Sequence, residues 1–321
     1  MKKSKKWLLG SAAVGTALYA GLCGLIHYEI FHRDATIPGK MFEGNKKTIM
    51  GDEPKEQDPR DAWMQAQSFE QLTLCSADGH FLKAYYLAPE TQSDRWALCA
   101  HGYRSRGKSE FRLMTKYYHD HGFHVLLVDH RASGESEGSY IAFGKKESED
   151  LLLWLDWIRT EKNADAKVVL HGVSMGAATV MLLSDREEIL PNVKYIVADC
   201  GFTGVTDEFT RVLQSAHIPH RALIFGVNTV NRLISGFSLY DVQPREHVKN
   251  ALVPILFIHG DADTFVPTDM SLENYAACTS EKSLLLVTGA GHARSYPTDT
   301  AAYEDMLDQF AEKYLQTPVQ S

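Results

Sequence analysis

From residue 70 onward, short apolar runs alternate with longer amphipathic stretches. Runs at 72–75, 81–87, 96–100, 125–129, 167–171, 195–199, 255–259 and 283–287 have the length and side-chain character of strands. Helical spacing of apolar positions falls at 109–121, 146–159, 175–183, 269–277 and 298–314. Asp78-Gly79, a favoured tight-turn pair, predicts a hairpin between the first two runs. The repeated strand–helix order beyond it predicts an α/β fold, a mostly parallel eight-stranded sheet with helices on both faces. One interval breaks the rhythm. Between Cys200 and Val253 there is no strand pattern, yet apolar residues such as Phe209, Leu213, Leu223, Phe225 and Phe237 recur. A structureless loop of that length does not suit a compact domain, so a small helical cap inserted at about residues 202–251 is expected.

The amino-terminal pattern is of another kind. Lys2, Lys3, Lys5 and Lys6 make residues 1–6 a basic tip, and residues 7–26 carry no charge. As a helix that run covers about 30 Å, the thickness of a bilayer core. A cleaved secretory signal is the competing reading, but the apolar character runs past Gly15-Thr16-Ala17 to Leu22, Leu25 and Ile26. A retained, single-pass transmembrane signal-anchor is therefore expected over 7–26. The lysines ahead of it place the amino terminus in the cytoplasm and the body on the extracytoplasmic side of the cell membrane. Residues 27–62 are polar, contain the breakers Pro38-Gly39, Gly51-Asp52 and Asp58-Pro59, and are expected to form a linker to a catalytic domain at 63–321.

Composition narrows the function. The chain has 321 residues, 44% hydrophobic and 23% charged, which suits a globular protein. Thirty-three Lys and Arg against 41 Asp and Glu give a net charge of −8, and four of those lysines lie in the basic tip. So acidic a body does not suit a nucleic-acid partner.

The G-x-S-x-G pattern occurs twice. Gly172-Val173-Ser174-Met175-Gly176 follows an apolar strand run directly and leads directly into Ala177-Ala178-Thr179-Val180-Met181. Strand, tight turn and helix in that order present a serine hydroxyl at the tip of the turn, above a helix amino terminus. Gly134-Glu135-Ser136-Glu137-Gly138 sits beyond its strand, between two carboxylates that oppose a developing oxyanion, and no helix follows. Ser174 is the better nucleophile. A serine needs a base, an orienting acid and an anion hole. Asp263 in the 259–267 segment and His292 after Gly289-Ala290-Gly291 both fall just past strand ends, the edge where open parallel sheets build their sites. Asp261, two residues earlier, is the rival acid. His101, His171 and His259 precede glycines at strand ends and are expected to brace turns. His119, His121 and His124 lack a zinc-binding spacing, so neither metal nor cofactor is expected.

On His101-Gly102-Tyr103, the 129–136 segment beginning Asp129-His130-Arg131, the Ser174 elbow, HGDADTFVP and GAGH, the chain resembles a serine hydrolase of the α/β-hydrolase superfamily. It is similar to bacterial membrane-anchored members related to the prolyl-oligopeptidase and serine-aminopeptidase branches. The resemblance covers about residues 63–315 and implies Ser174 as nucleophile, His292 as base and Asp263 as acid. The backbone N–H groups of Tyr103 and Met175 would hold the oxyanion. Arg104, Arg106 and Lys108 continue the Tyr103 loop, as surface charge or as an attraction for an anionic substrate. Asp129 and Arg131 are expected to pair and fix the loop after the fourth strand.

The expected activity is hydrolysis of a small-molecule ester or acyl substrate, with a serine peptidase as the alternative. A non-catalytic membrane-anchored binding protein on the same fold is the alternative from another class. Five cysteines include Cys23 in the span; the family's sheet order separates Cys99 from Cys200 by one strand, and the thiols are expected to be buried and unpaired.

Overall fold

A computed structural model describes residues 2–37 and 58–316. Eight strands form one sheet: β1 (Glu70–Cys75), β2 (Phe81–Leu87), β3 (Arg95–Ala100), β4 (His124–Asp129), β5 (Lys167–Val173), β6 (Val193–Asp199), β7 (Ile255–Gly260) and β8 (Lys282–Val287). Their order is β1-β2-β4-β3-β5-β6-β7-β8. β2 runs antiparallel to both β1 and β4, and every pair from β4 to β8 is parallel. This is the α/β-hydrolase architecture. All eight apolar runs of the sequence are strands, and β5 lies between β3 and β6.

The helices are α1 (Lys2–Phe31), α2 (Pro59–Ala66), α3 (Gly107–Glu110), α4 (Met114–Asp120), α5 (Lys145–Trp157), α6 (Met175–Met181), α7 (Val205–Ser215), α8 (His220–Ile234), α9 (Pro244–Val248), α10 (Thr268–Ala277), α11 (Ser295–Thr298) and α12 (Thr300–Leu315). Because side chains alternate across a strand, the central strands feed two cores. Trp96, Leu98, Val168, Leu170 and Ile196 pack with Trp154 of α5 and Val180 of α6 on one face. Ala97, Cys99, Val169, Tyr195 and Val197 pack with Tyr118, Tyr303 and Phe310 on the other. A third apolar cluster lies between α1, the elbow and the inserted helices, with Phe31, Phe143, Met175, Val205 and Val227 buried in it.

The interval between β6 and β7 holds α7, α8 and α9, where an inserted cap was expected. One expected helix is broken in two: the stretch 109–121 becomes α3 and α4. The stretch 298–314 becomes the single helix α12, capped by the Asp299 carboxylate, which accepts from Ala302 N at 3.0 Å, with the short α11 just ahead of it.

The larger departure is at the amino terminus. Residues 27–35, expected in the linker, continue α1 and then dock on the body. His27 and Phe31 are fully buried, Ile141 N donates to Phe31 O (2.8 Å), and Arg33 N donates to Ser139 O (2.9 Å). A polar composition reads as a tether only while its polar groups face water, and here they meet specific partners. The linker's other end is also structured: Asp58 caps α2 through Arg60 N, and Pro59 occupies its first turn. The breakers Pro38-Gly39 and Gly51-Asp52 lie outside the described residues. The five cysteines are unpaired, and Cys75 is exposed rather than buried because it ends an edge strand.

Candidate active site

Ser174 stands between β5 and α6 with φ 56° and ψ −117°, a left-handed backbone rare for a residue with a Cβ. The two flanking glycines make that turn possible. A Cβ at Gly172 would overlap the Gly176 backbone, and one at Gly176 would overlap Ala100 O of the neighbouring strand. The Ser174 N–H donates to Asp199 O at 2.7 Å, which ties the turn to the end of β6.

His292, in the loop after β8, places Nε2 2.9 Å from Ser174 Oγ and Nδ1 2.7 Å from Asp263 Oδ2. With a carboxylate at Nδ1, that nitrogen carries the proton and Nε2 accepts from the serine. Asp263 follows β7 and is buried. Its Oδ1 accepts from Phe265 N (2.9 Å) and Val266 N (3.0 Å), and its Oδ2 also takes His259 Nε2 at 3.1 Å. The tautomer of His259 follows from its neighbours. Nε2 faces two acceptors, Asp263 Oδ2 and Val266 O (2.9 Å), so it is the donor, while Nδ1 accepts from Ser271 Oγ at 2.6 Å. Burial pushes the Asp263 carboxyl upward, but hydrogen bonds from His259 and His292 outweigh it and hold the group at about 2.

The structure thus brings Ser174, Asp263 and His292 together and leaves the rival residues elsewhere. Ser136 Oγ donates to Asp129 O (2.6 Å) and accepts from Lys83 N (2.8 Å), bracing the loop after β4. Asp261 is exposed and its carboxylate accepts from Gly289 N at 2.6 Å. Of the turn-bracing histidines, His101 Nε2 accepts from His130 N and His171 joins Tyr118 to Tyr303, but His259 shares the Asp263 carboxylate. Its position four residues before Asp263 was the available signal.

Gly102 lies against the elbow; a Cβ there would sit 3.3 Å from Ser174 Cβ. Tyr103 follows it, and Met175 is the first residue of α6, whose N–H has no carbonyl within the helix to reach. The Tyr103 side chain is committed elsewhere, its hydroxyl donating to Ile30 O at 2.6 Å. Arg104 is likewise a docking residue and not a free cation. Its guanidinium donates to the carbonyls of Glu29 (3.1 Å), His32 (2.7 Å), Arg33 (3.2 Å) and Ala35 (3.0 Å), capping the end of α1. Asp129 and Arg131 do not pair with each other. Asp129 accepts from Gly107 N and Glu135 N, both at 2.9 Å, and Arg131 pairs with Asp150 (2.6 Å) and Asp78 (2.8 Å).

Two further carboxyls surround the site. Asp199 is buried, accepts from Tyr303 Oη at 3.0 Å and Ser295 Oγ at 3.3 Å, and is raised to about 6 by that burial. Glu208, in the first turn of α7, is buried with both oxygens unpartnered; burial, then the Asp263 charge, raises it to about 8. Cys200, Asp263 and His292 have ligand-type atoms within 4.8 Å of one another. Burial holds the Cys200 thiol protonated, and both Asp263 oxygens are engaged, so a hydrogen-bonded relay fits these residues better than a metal.

Residues 109–318 match the model of the prolyl oligopeptidase family. Among curated relatives, the protein YqkD of Bacillus subtilis is 26% identical over 250 residues, covering 76% of this chain and 81% of that protein. Among solved structures, the Pyrococcus furiosus esterase Pf2001 is similar with a TM-score of 0.62 at 20% identity, over 84% of this chain and 97% of the esterase. The Pyrococcus horikoshii acylaminoacyl peptidase is similar with a TM-score of 0.55 at 18% identity, over 83% of this chain and 45% of the peptidase.

Proposed function

Because the chain belongs to the prolyl oligopeptidase family of α/β-hydrolase-fold serine hydrolases, we propose that it cleaves carboxylic esters through Ser174, His292 and Asp263. The observation that carries this reading is the continuous line of hydrogen bonds from Ser174 Oγ through His292 to Asp263. Ser174 Oγ attacks the acyl carbon as its proton passes to His292 Nε2. The N–H groups of Tyr103 and Met175 hold the oxyanion, and Asp263 stabilises the imidazolium. His292 then returns the proton to the departing alcohol, leaving an acyl-enzyme. Water, deprotonated by His292, attacks the acyl carbon and releases the acid and Ser174. The ester reading is supported by similarity to a whole esterase, where the likeness to the acylaminoacyl peptidase covers under half of that protein. That same likeness favours peptidase activity as the second reading.

The two separate on a panel of p-nitrophenyl esters and aminoacyl-nitroanilides. Turnover of the esters, with fluorophosphonate labelling lost in Ser174→Ala and activity down by about 10⁴-fold or more, is the expected result. Preference for the anilides would favour the peptidase, and an unlabelled Ser174 with neither substrate turned over would remove the enzymatic reading.

Among the described residues α1 is the one helix long and apolar enough to cross a membrane. We read it as a signal-anchor, with the lysine tip cytoplasmic and the catalytic body outside. The run of four lysines ahead of the apolar stretch supports that orientation.

A further inference from the structure

We propose that the outer face of the cap, from the α7–α8 loop along α8, is a lipid-binding surface that rests in the interfacial layer of the bilayer beside α1. The proposal rests on the signal-anchor reading of α1 and extends membrane contact to the body itself.

Helix length is the first argument. The uncharged run of α1 reaches Ile26, but from Tyr19 onward it already lies against the body. Tyr19 Oη donates to Ala222 O, Cys23 is buried where a Cβ on Gly226 would overlap its sulfur, and His27 Nε2 donates to Asn231 Oδ1 at 3.1 Å. The contacts advance together along both helices, so α8 runs parallel to α1. Residues 7–18, ahead of these contacts, make only about 18 Å of helix against a hydrocarbon core of about 30 Å. The remainder is met only if the docked part of α1, with α8 alongside, enters the outer interfacial layer.

The surface chemistry of the cap suits that place. Phe225 and Leu233 project from α8 with 64% and 82% of their surface exposed, and Ile218 and Ile234 are exposed beside them. In a chain of net charge −8, residues 209–240 contain no Asp or Glu but do contain Arg211, Arg221, Arg232, His217 and His220. Arg211 is paired with Asp269 and Glu273, whereas Arg221 and Arg232 are exposed and make no ion pair among the described residues. Leu233 and the unpaired Arg232 at the outer end of α8 match an acyl-chain boundary overlaid by phosphates, with Phe225 about 12 Å deeper along the helix.

This placement bears on the site. Phe31, at the end of α1, packs on Phe143 and Phe209 in the apolar cluster that includes Met175. It lies only about 8 Å of helix beyond Ile26. A long-chain ester held in the bilayer therefore meets the site from the membrane side.

The test uses full-length protein in nanodiscs of phosphatidylcholine and phosphatidylglycerol, with tryptophan introduced by Phe225→Trp or, separately, Leu233→Trp. Lipids brominated near the top of the acyl chain are expected to cut the emission added at Leu233 about two-fold, and lipids brominated further down the chain that added at Phe225, with Trp7, at the opposite end of the span, quenched by bromines near the top of the acyl chains of the other leaflet. Quenching of Trp7 without quenching at either cap position overturns the proposal and spares the anchor. An unquenched Trp7 overturns both. Cap fluorescence that varies with protein concentration and not with brominated lipid assigns the face to a second copy and also overturns it. None of these readouts involves Ser174, so they stand apart from the ester reading. In a second measurement, the double variant Phe225→Asp/Leu233→Asp is expected to lose about ten-fold in turnover of a bilayer-held long-chain ester and to keep p-nitrophenyl acetate turnover. Equal losses on both substrates would overturn the proposal.

Discussion

Asp263 receives four hydrogen bonds, two from backbone amides and two from imidazoles, and remains ionised although buried. Under the proposed mechanism its charge orients His292 and stabilises the imidazolium, so Asp263→Asn is expected to lower kcat by about 10³–10⁴-fold with KM little changed. Steady-state kinetics on a p-nitrophenyl ester checks this. Glu208 is the opposite case. Its folded value, about 8, lies above the ordinary carboxylate value of 4.5, so the folded state holds the proton more tightly than the unfolded chain. That preference is fully present below about pH 4.5 and is lost as pH rises through 8, on the order of 5 kcal/mol in all. Glu208→Gln keeps the shape without the ionisation. Denaturant melts across pH 5 to 9 should show the wild type losing stability relative to the variant as pH rises. Ser174 stood out as a candidate because it follows directly on an apolar strand run, whereas Asp263 and His292 stand three and five residues beyond β7 and β8 and were singled out by the resemblance carried by HGDADTFVP and GAGH. Glu208 was not, since burial by another element leaves no local mark, and Asp129 and Arg131, neighbours in sequence, turn to different partners.

Among the elements, the strands were the most legible, because two cores on opposite sheet faces force nearly continuous apolar runs in the centre. The end of α1 was the least legible. Its polar stretch is anchored by two arginines: Arg33 donates to Ser136 O (2.8 Å), Gly138 O (3.2 Å) and Gly134 O (3.1 Å), while Arg104 donates to Glu29 O in the last turn of the helix and to His32 O just past it. The second G-x-S-x-G segment is thus a socket for Arg33, a use that its flanking glutamates do not advertise. Removing Arg104 leaves the carbonyls of Glu29 in the last turn of α1 and of His32, Arg33 and Ala35 just beyond it without their donor, and Arg104→Ala is expected to cost about 2–3 kcal/mol. Hydrogen exchange should show faster exchange over 28–35. Since Tyr103 shares the loop, ester turnover is expected to fall several-fold in the same variant, whereas a purely distant docking role would leave it unchanged. Gly226→Leu tests the other end of the contact, because its side chain would occupy the place of Cys23 and Tyr19. Faster exchange is then expected over 19–27 with the sheet strands unaffected.

For the whole molecule, the asymmetry of charge fixes an expectation about sidedness that a single thiol can test. The lysine tip precedes the apolar part of α1, and under the proposed signal-anchor reading the positive-inside rule predicts an extracytoplasmic body. Of the five cysteines, which are all unpaired, four are buried and Cys75 is exposed on the edge strand β1. Cys99 and Cys200 are further silenced because burial raises their thiols well above neutral pH. Cys75 is therefore a reporter of the body already present in the native chain, at the edge of the sheet opposite β8. A membrane-impermeant maleimide added to intact cells making the protein is expected to label one thiol, and Cys75→Ser should abolish the labelling. Labelling that appears only after the membrane is opened would put the body in the cytoplasm and reverse the orientation. The cap surface would then face the inner leaflet, where Arg221 and Arg232 meet the more anionic side of the bilayer. The geometry linking α1, α8 and the Ser174 elbow is the same in either orientation, so sidedness and membrane contact of the cap are separable questions with separable answers.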